Sequence, residues 1–138
     1  MDRMNSRVLI VEDNRVFANV LRFNLERAGF MVTVAYDGTQ AIATLQHGHF
    51  DLLITDFQMP DINGDQLCRV VRGQLRLEHL PIVICSAKGC EISAAQLQAD
   101  YRVRHVIFKP FSMRDIISIV QTITAAPAVD PDVQRQLC

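Results

Sequence analysis

The chain has 138 residues, 49% of them hydrophobic and 21% charged, which suits one domain of ~100–150 residues with at most a short tail. Its 14 Lys and Arg against 15 Asp and Glu give a net charge of −1, which argues against a nucleic-acid binder, with its basic excess, and against a polybasic membrane anchor. No apolar stretch approaches the ~18 residues of a membrane span, and the first apolar run ends at Glu12-Asp13, too soon for a secretory signal.

Five short apolar runs recur along the chain: Val8 to Val11, Met31 to Ala35, Leu52 to Ile54, Ile82 to Cys85 and Val106 to Phe108. Most are continuous and rich in Val and Ile, as strands buried on both faces are. Between them lie stretches of helical length. The first predicted helix, Arg15 to Ala28, puts Phe17, Leu21, Leu25 and Ala28 on one face, with Asp13 or Asn14 as cap and Gly29 as stop. The second runs from Thr39 to His47 with Gly48 as stop, and the third from Gly64 to Leu77. The fourth, Ile92 to Ala99, is weakly apolar. The fifth runs from Ser112, its N-cap, to Thr124, and Ile119 on it is a candidate for exposure to a partner.

Strand alternating with helix five times predicts a doubly wound α/β domain, a flavodoxin-like (βα)5 with a five-stranded parallel sheet in order 2-1-3-4-5. The segment from Ala125 to Cys138 is expected to be a flexible tail. Cys68, Cys85, Cys90 and Cys138 form no Cys-x-x-Cys pair and lack a zinc-finger spacing to His, so reduced thiols in a cytoplasmic protein are expected. His47 and His49 flank Gly48 without a third ligand, and His105 reads as a solvated strand start.

Ligands of such a sheet bind beyond the carboxyl ends of its strands, at the switch point. Glu12 and Asp13 follow the first strand, Asp56 ends the third, Ser86 follows the fourth and Lys109 the fifth. Each alone is an ordinary turn or surface residue; their joint placement is not. Of the 14 basic residues only Lys88 and Lys109 are lysines, and both fall just past a strand on that edge. Clustered carboxylates repel unless a cation intervenes, and hard oxygen ligands with an open side suit Mg²⁺. An Asp in such a site can act as nucleophile and form an aspartyl phosphate, while Mg²⁺, Lys109, the Ser86 hydroxyl and backbone N–H groups neutralise the phosphoryl oxygens.

These residues resemble the receiver domain of two-component response regulators over about Arg7 to Thr124. The resemblance is carried by Val-Leu-Ile-Val-Glu-Asp-Asn (8–14), Asp-Leu-Leu-Ile-Thr-Asp-Phe-Gln-Met-Pro-Asp-Ile-Asn-Gly (51–64), Ile-Val-Ile-Cys-Ser-Ala (82–87) and Lys-Pro-Phe (109–111). It implies Asp56 as phosphoacceptor, Asp13 as direct Mg²⁺ ligand, Glu12 as a ligand through water and Gln58 through its backbone carbonyl. It implies that Ser86 and Lys109 contact the phosphoryl group, with a cis bond to Pro110. Gln58 and Lys88 stand where the family tunes phosphoryl lifetime. One departure is clear: the family carries Tyr or Phe three residues before the lysine, and here that residue is Val106. Phe108, next to Lys109, is expected on the other side of the strand by period two.

The expected function is a signalling module charged by a histidine kinase or a histidine phosphotransfer protein. It would act through contacts with a downstream protein, without touching nucleic acid or entering a membrane. Either a single-domain regulator or the N-terminal receiver of a longer protein fits. A homodimer through the face of the fourth helix, fifth strand and fifth helix is a further expectation. A turnover phosphatase would need an acid two residues after its nucleophile, where Gln58 stands. A flavin phosphate would be repelled by Glu12 and Asp13. The remaining alternative is a receiver used as a phosphorylation-independent scaffold.

Overall fold

The structure, a computed structural model, describes residues 6–87 and 93–125. Strands β1 (Arg7–Val11), β2 (Met31–Ala35), β3 (Leu52–Asp56), β4 (Ile82–Ala87) and β5 (His105–Lys109) alternate with helices α1 (Arg15–Arg27), α2 (Gly38–His47), α3 (Gly64–Arg69), α4 (Ala94–Tyr101) and α5 (Met113–Ala125). The strands form one parallel sheet in the predicted order, β2-β1-β3-β4-β5. Every residue of β3 is buried, as expected of a central strand covered on both sides.

Two apolar layers cover the sheet. One joins Leu9, Leu53, Ile82 and Ile84 to Ala41 and Leu45 of α2, Leu67 of α3 and Leu97 of α4. The other joins Val8, Ile10, Ile54 and Val83 to Leu21 and Leu25 of α1 and Ile116, Val120 and Ile123 of α5. Period-two alternation along each central strand sends successive side chains into opposite layers. The helix ends follow local chemistry. Asn14 caps α1, its Oδ1 accepting the Phe17 N–H at 3.0 Å. Gly29, at φ 103°, ends it, with the Phe30 N–H returning to the Leu25 carbonyl at 3.1 Å. Ser112 Oγ accepts the Asp115 N–H at the start of α5.

Three expectations need correction. The third helix is α-helical only to Arg69 and continues as a π-helical turn, Val70–Gln74, rather than running to Leu77. Its wider turn carries the Leu75 N–H to the Val70 carbonyl. The Arg72 guanidinium then donates to the carbonyls of Leu77 (2.6 Å), Leu80 (2.7 Å) and Tyr101 (2.8 Å), so these acceptors are met by a side chain as the chain turns toward β4. The fourth helix starts at Ala94 behind a Ser93 cap and runs on to Tyr101; Ile92 lies outside the described residues. Ile119 is half-buried and packs against the layer that α1 and α5 share. Among the described residues, the large apolar side chains left exposed are Val16, Val20, Phe23, Met31 and Phe108.

Cys68 and Cys85 are free and buried, and burial pushes both thiols up to about 12. Cys90, Cys138 and the expected tail beyond Ala125 lie outside the described residues. Among the described residues, no helix is long and apolar enough to cross a membrane. His49 pairs with Asp51, His47 with the Ala43 carbonyl, and His105 is exposed.

Arg72→Met leaves three carbonyls without their donor. It is expected to lower unfolding stability by about 2–3 kcal/mol in urea titrations, the range for hydrogen bonds to a charged group.

Candidate functional site

The carboxyl ends of β1 and β3, adjacent in the sheet, deliver Glu12, Asp13 and Asp56 to one spot. One carboxylate oxygen from each lies within 4.8 Å of the others. Glu12 is 3% exposed and Asp56 9% exposed, whereas Asp13 is exposed. At such separations three negative charges in a partly dry site repel strongly.

Lys109, at the end of β5, offsets part of that repulsion. Its Nζ donates to Glu12 Oε1 at 2.9 Å and stands 3.4 Å from Asp56 Oδ1. Burial works against the lysine's charge, but the bond to Glu12 and the two carboxylates outweigh it and hold its pKa above the ordinary value. The second Glu12 oxygen accepts the Asn14 N–H at 3.1 Å, so Glu12 is fixed at both oxygens. Asp56 is less well compensated. Burial foremost, then repulsion from Glu12, raises its pKa from 3.8 to about 6 despite Lys109.

The structure brings together four of the six sequence-predicted site residues, Glu12, Asp13, Asp56 and Lys109. Gln58 follows two residues after Asp56 with its side chain exposed. Ser86 is wholly buried in β4, one position beyond Cys85, the register partner of Asp56. Among the described residues its Oγ is a buried side-chain polar atom with no hydrogen-bond partner, a state that ordinarily costs stability. The Lys109-Pro110 bond is cis. Lys88 lies outside the described residues.

Two site residues carried no local signal. Phe17, read from the sequence as core, holds its ring face 4.6 Å from Lys109 Nζ and packs edge-on against Phe111, a cation–π contact that steers the ammonium toward the acids. Asp61 stands in the loop after β3 and bonds to the start of α2, more than 20 residues earlier in the chain. Phe108 lies opposite Lys109, as period two expects. Val106 packs into the layer of α2–α4 and Ile107 into that of α1 and α5, so alternation returns Phe108 to the side of Val106. There it is in register with Ser86 and 44% exposed.

A parallel sheet with acids at the ends of β1 and β3 and a lysine at the end of β5 defines a receiver, and comparison with known proteins agrees. The family model described as response regulator receiver domain matches residues 8–121. A putative response regulator from Chloroflexus aurantiacus is 31% identical, with a TM-score of 0.78 over 88% of this chain and 98% of that one. The chemotaxis response regulator CheY4 of Vibrio cholerae is 27% identical, with a TM-score of 0.76 over 86% of this chain and 98% of that one. The receiver domain of the Francisella response regulator 1452 shares the fold at 24% identity, with a TM-score of 0.80 over 88% of this chain and 98% of that one. The chain belongs to the response regulator receiver domain family.

The raised Asp56 pKa fixes the sign of a pH effect. In the unfolded chain the carboxyl titrates near 3.8, in the fold near 6. Between these values the fold holds the extra proton, so metal-free stability falls as pH rises through that window and the full penalty persists above it. Asp56→Asn is therefore expected to stabilise the metal-free protein by on the order of 2 kcal/mol at pH 7.5, with the gain vanishing below about pH 4. Chemical denaturation of both proteins at the two pH values checks it.

Proposed function

We propose that this chain is a phosphorylation-controlled signalling module in which Asp56 accepts a phosphoryl group from a histidine kinase or a histidine phosphotransfer protein. The observation that carries the reading is the cluster of Glu12, Asp13 and Asp56 oxygens within 4.8 Å of one another. Three close carboxylates with one lysine leave uncompensated negative charge, which suits a hard divalent cation. Mg²⁺ would be held by Asp13, Asp56, the Gln58 carbonyl and, through water, Glu12; when bound it supplies charge neutralisation to the phosphoryl oxygens.

The remaining chemistry falls to the chain. An ionised Asp56 oxygen attacks phosphorus in line; the new O–P bond forms as the P–N bond to the donor histidine breaks, and the imidazole leaves with the electron pair. Lys109, held by Glu12 and the Phe17 ring, meets one phosphoryl oxygen. The unpartnered Ser86 hydroxyl donates to another, gaining the acceptor it lacks. Gln58 offers no acid two residues beyond the nucleophile, so the module is charged once per cycle and is not a turnover phosphatase.

For the donor, α1 offers a face. Val16, Val20 and Phe23 are 75%, 44% and 58% exposed and fall at i, i+4 and i+7, one line along the helix that begins beside Asp13. For output, Phe108 leaves an exposed aromatic ring on the face of α4, β5 and α5, where a downstream protein or a second copy would bind. An exchange of this kind with a histidine kinase would take place in the cytoplasm.

Incubation with a small-molecule phosphodonor and Mg²⁺ is expected to add one phosphoryl mass to the intact protein. The adduct requires Mg²⁺ and is missing in Asp56→Asn. An intact fold that takes no phosphoryl group from any donor would leave a phosphorylation-independent scaffold, the reading that Val106 in place of an aromatic favours. Phe23→Asp is expected to slow transfer from a donor protein about tenfold more than transfer from the small donor, the loss of one moderate interface contact of ~1.4 kcal/mol.

A further inference from the structure

The loop between β3 and α3 is pinned to α2 by one carboxylate. Asp61 Oδ2 accepts the Thr39 N–H at 2.8 Å and the Thr39 hydroxyl at 2.7 Å. Its Oδ1 accepts the Gly38 N–H at 3.1 Å and the Ile62 N–H at 2.7 Å. Hydrogen bonds with Thr39, Gly38 and Ile62 hold this carboxyl well below the usual carboxylate range against the opposing pull of desolvation.

A helix start leaves its first N–H groups without partners. Here the Gln40 N–H goes to Asp37 Oδ1, the local cap, and the Ala41 N–H to the Asp37 carbonyl. The first two donors, from Gly38 and Thr39, are met by Asp61, 23 and 22 residues away. The neighbouring side chain enforces the same approach: a Cβ on Gly38 would sit 2.2 Å from Ile62 Cγ1. The loop's far end is held separately. The Gly64 N–H donates to the Phe57 carbonyl at 2.7 Å, and Asn63 and Gln66 close a capping box on α3. Gln58 lies between these two anchors.

We infer that Asp61 is a positioning residue for the metal site: by clasping the loop to α2 it fixes the Gln58 backbone carbonyl where Mg²⁺ is bound. The inference rests on the metal-site reading above. The local Asp37 serves the Gln40 and Ala41 N–H groups, and the two donors before them go to Asp61. A cap supplied from the loop that leaves Asp56 couples the geometry of that loop to the frame of the sheet.

The test is Mg²⁺ binding by calorimetry at pH 7.5 to the wild-type chain, Asp61→Ala, Asp61→Asn and Asp37→Ala, each at a temperature where all are folded by circular dichroism. Asp61→Ala is expected to raise the Mg²⁺ Kd about tenfold, the scale of lost outer-shell support. Asp61→Asn keeps one acceptor oxygen and recovers part of that loss. Asp37→Ala weakens the same helix start from its own side and leaves the Kd within twofold. Wild-type and Asp61→Ala chains that bind Mg²⁺ equally would overturn the clasp and leave the metal site standing. An equal loss in Asp37→Ala would reduce Asp61 to a helix cap and overturn its positioning role. A wild-type chain that binds no Mg²⁺ would overturn the site and the clasp together.

Discussion

The repulsion among Glu12, Asp13 and Asp56 is the constraint on which the rest of the site depends. No isolated fold gains from gathering three carboxyl groups at the buried end of a sheet. The compensation is partial: Lys109 satisfies Glu12 closely at 2.9 Å and Asp56 less closely at 3.4 Å, so burial, and after it repulsion from Glu12, raises the proton affinity of Asp56. A site left short of positive charge in its resting form is primed for a ligand that brings some. The unpartnered Ser86 hydroxyl is short in the complementary sense, a donor without an acceptor. A divalent cation together with a phosphoryl group would meet both deficits.

The scaffold around that spot is built to hold charge in place. The parallel register between β1 and β3 sets the carboxylates side by side. Glu12 is locked by Lys109 and the Asn14 N–H, and Asn14 in turn starts α1. Phe17, one turn into that helix, lies against the lysine and leans on Phe111 beyond the cis peptide. One short stretch, Glu12 to Phe17, therefore ends a strand, caps a helix, supplies two acids and braces their counter-charge.

Much of this was legible in the sequence, and the residues show why. The inner strands β1, β3 and β4 read clearly because both faces are buried, so Val8 to Val11 and Ile82 to Cys85 have no polar interruption. The acids and the lysine read clearly because each directly follows such a run. The π-helical turn did not, because its support comes from Arg72 reaching carbonyls 5, 8 and 29 residues away, which no local pattern records. The contacts of Phe17 with Lys109 and of Asp61 with α2 were hidden for the same reason. Ile119 is half-buried against the layer that α1 and α5 share, which its helical position alone does not reveal.

The measurement that bears most directly on the account is the pH dependence of Mg²⁺ affinity in the wild-type chain between pH 5 and pH 8. If the cation relieves the crowding of carboxylates, proton and metal compete for Asp56. The account then predicts that binding tightens as pH rises toward about 6 and levels off above it. An affinity that stays constant across that range, or the lack of any binding at pH 8, would contradict it.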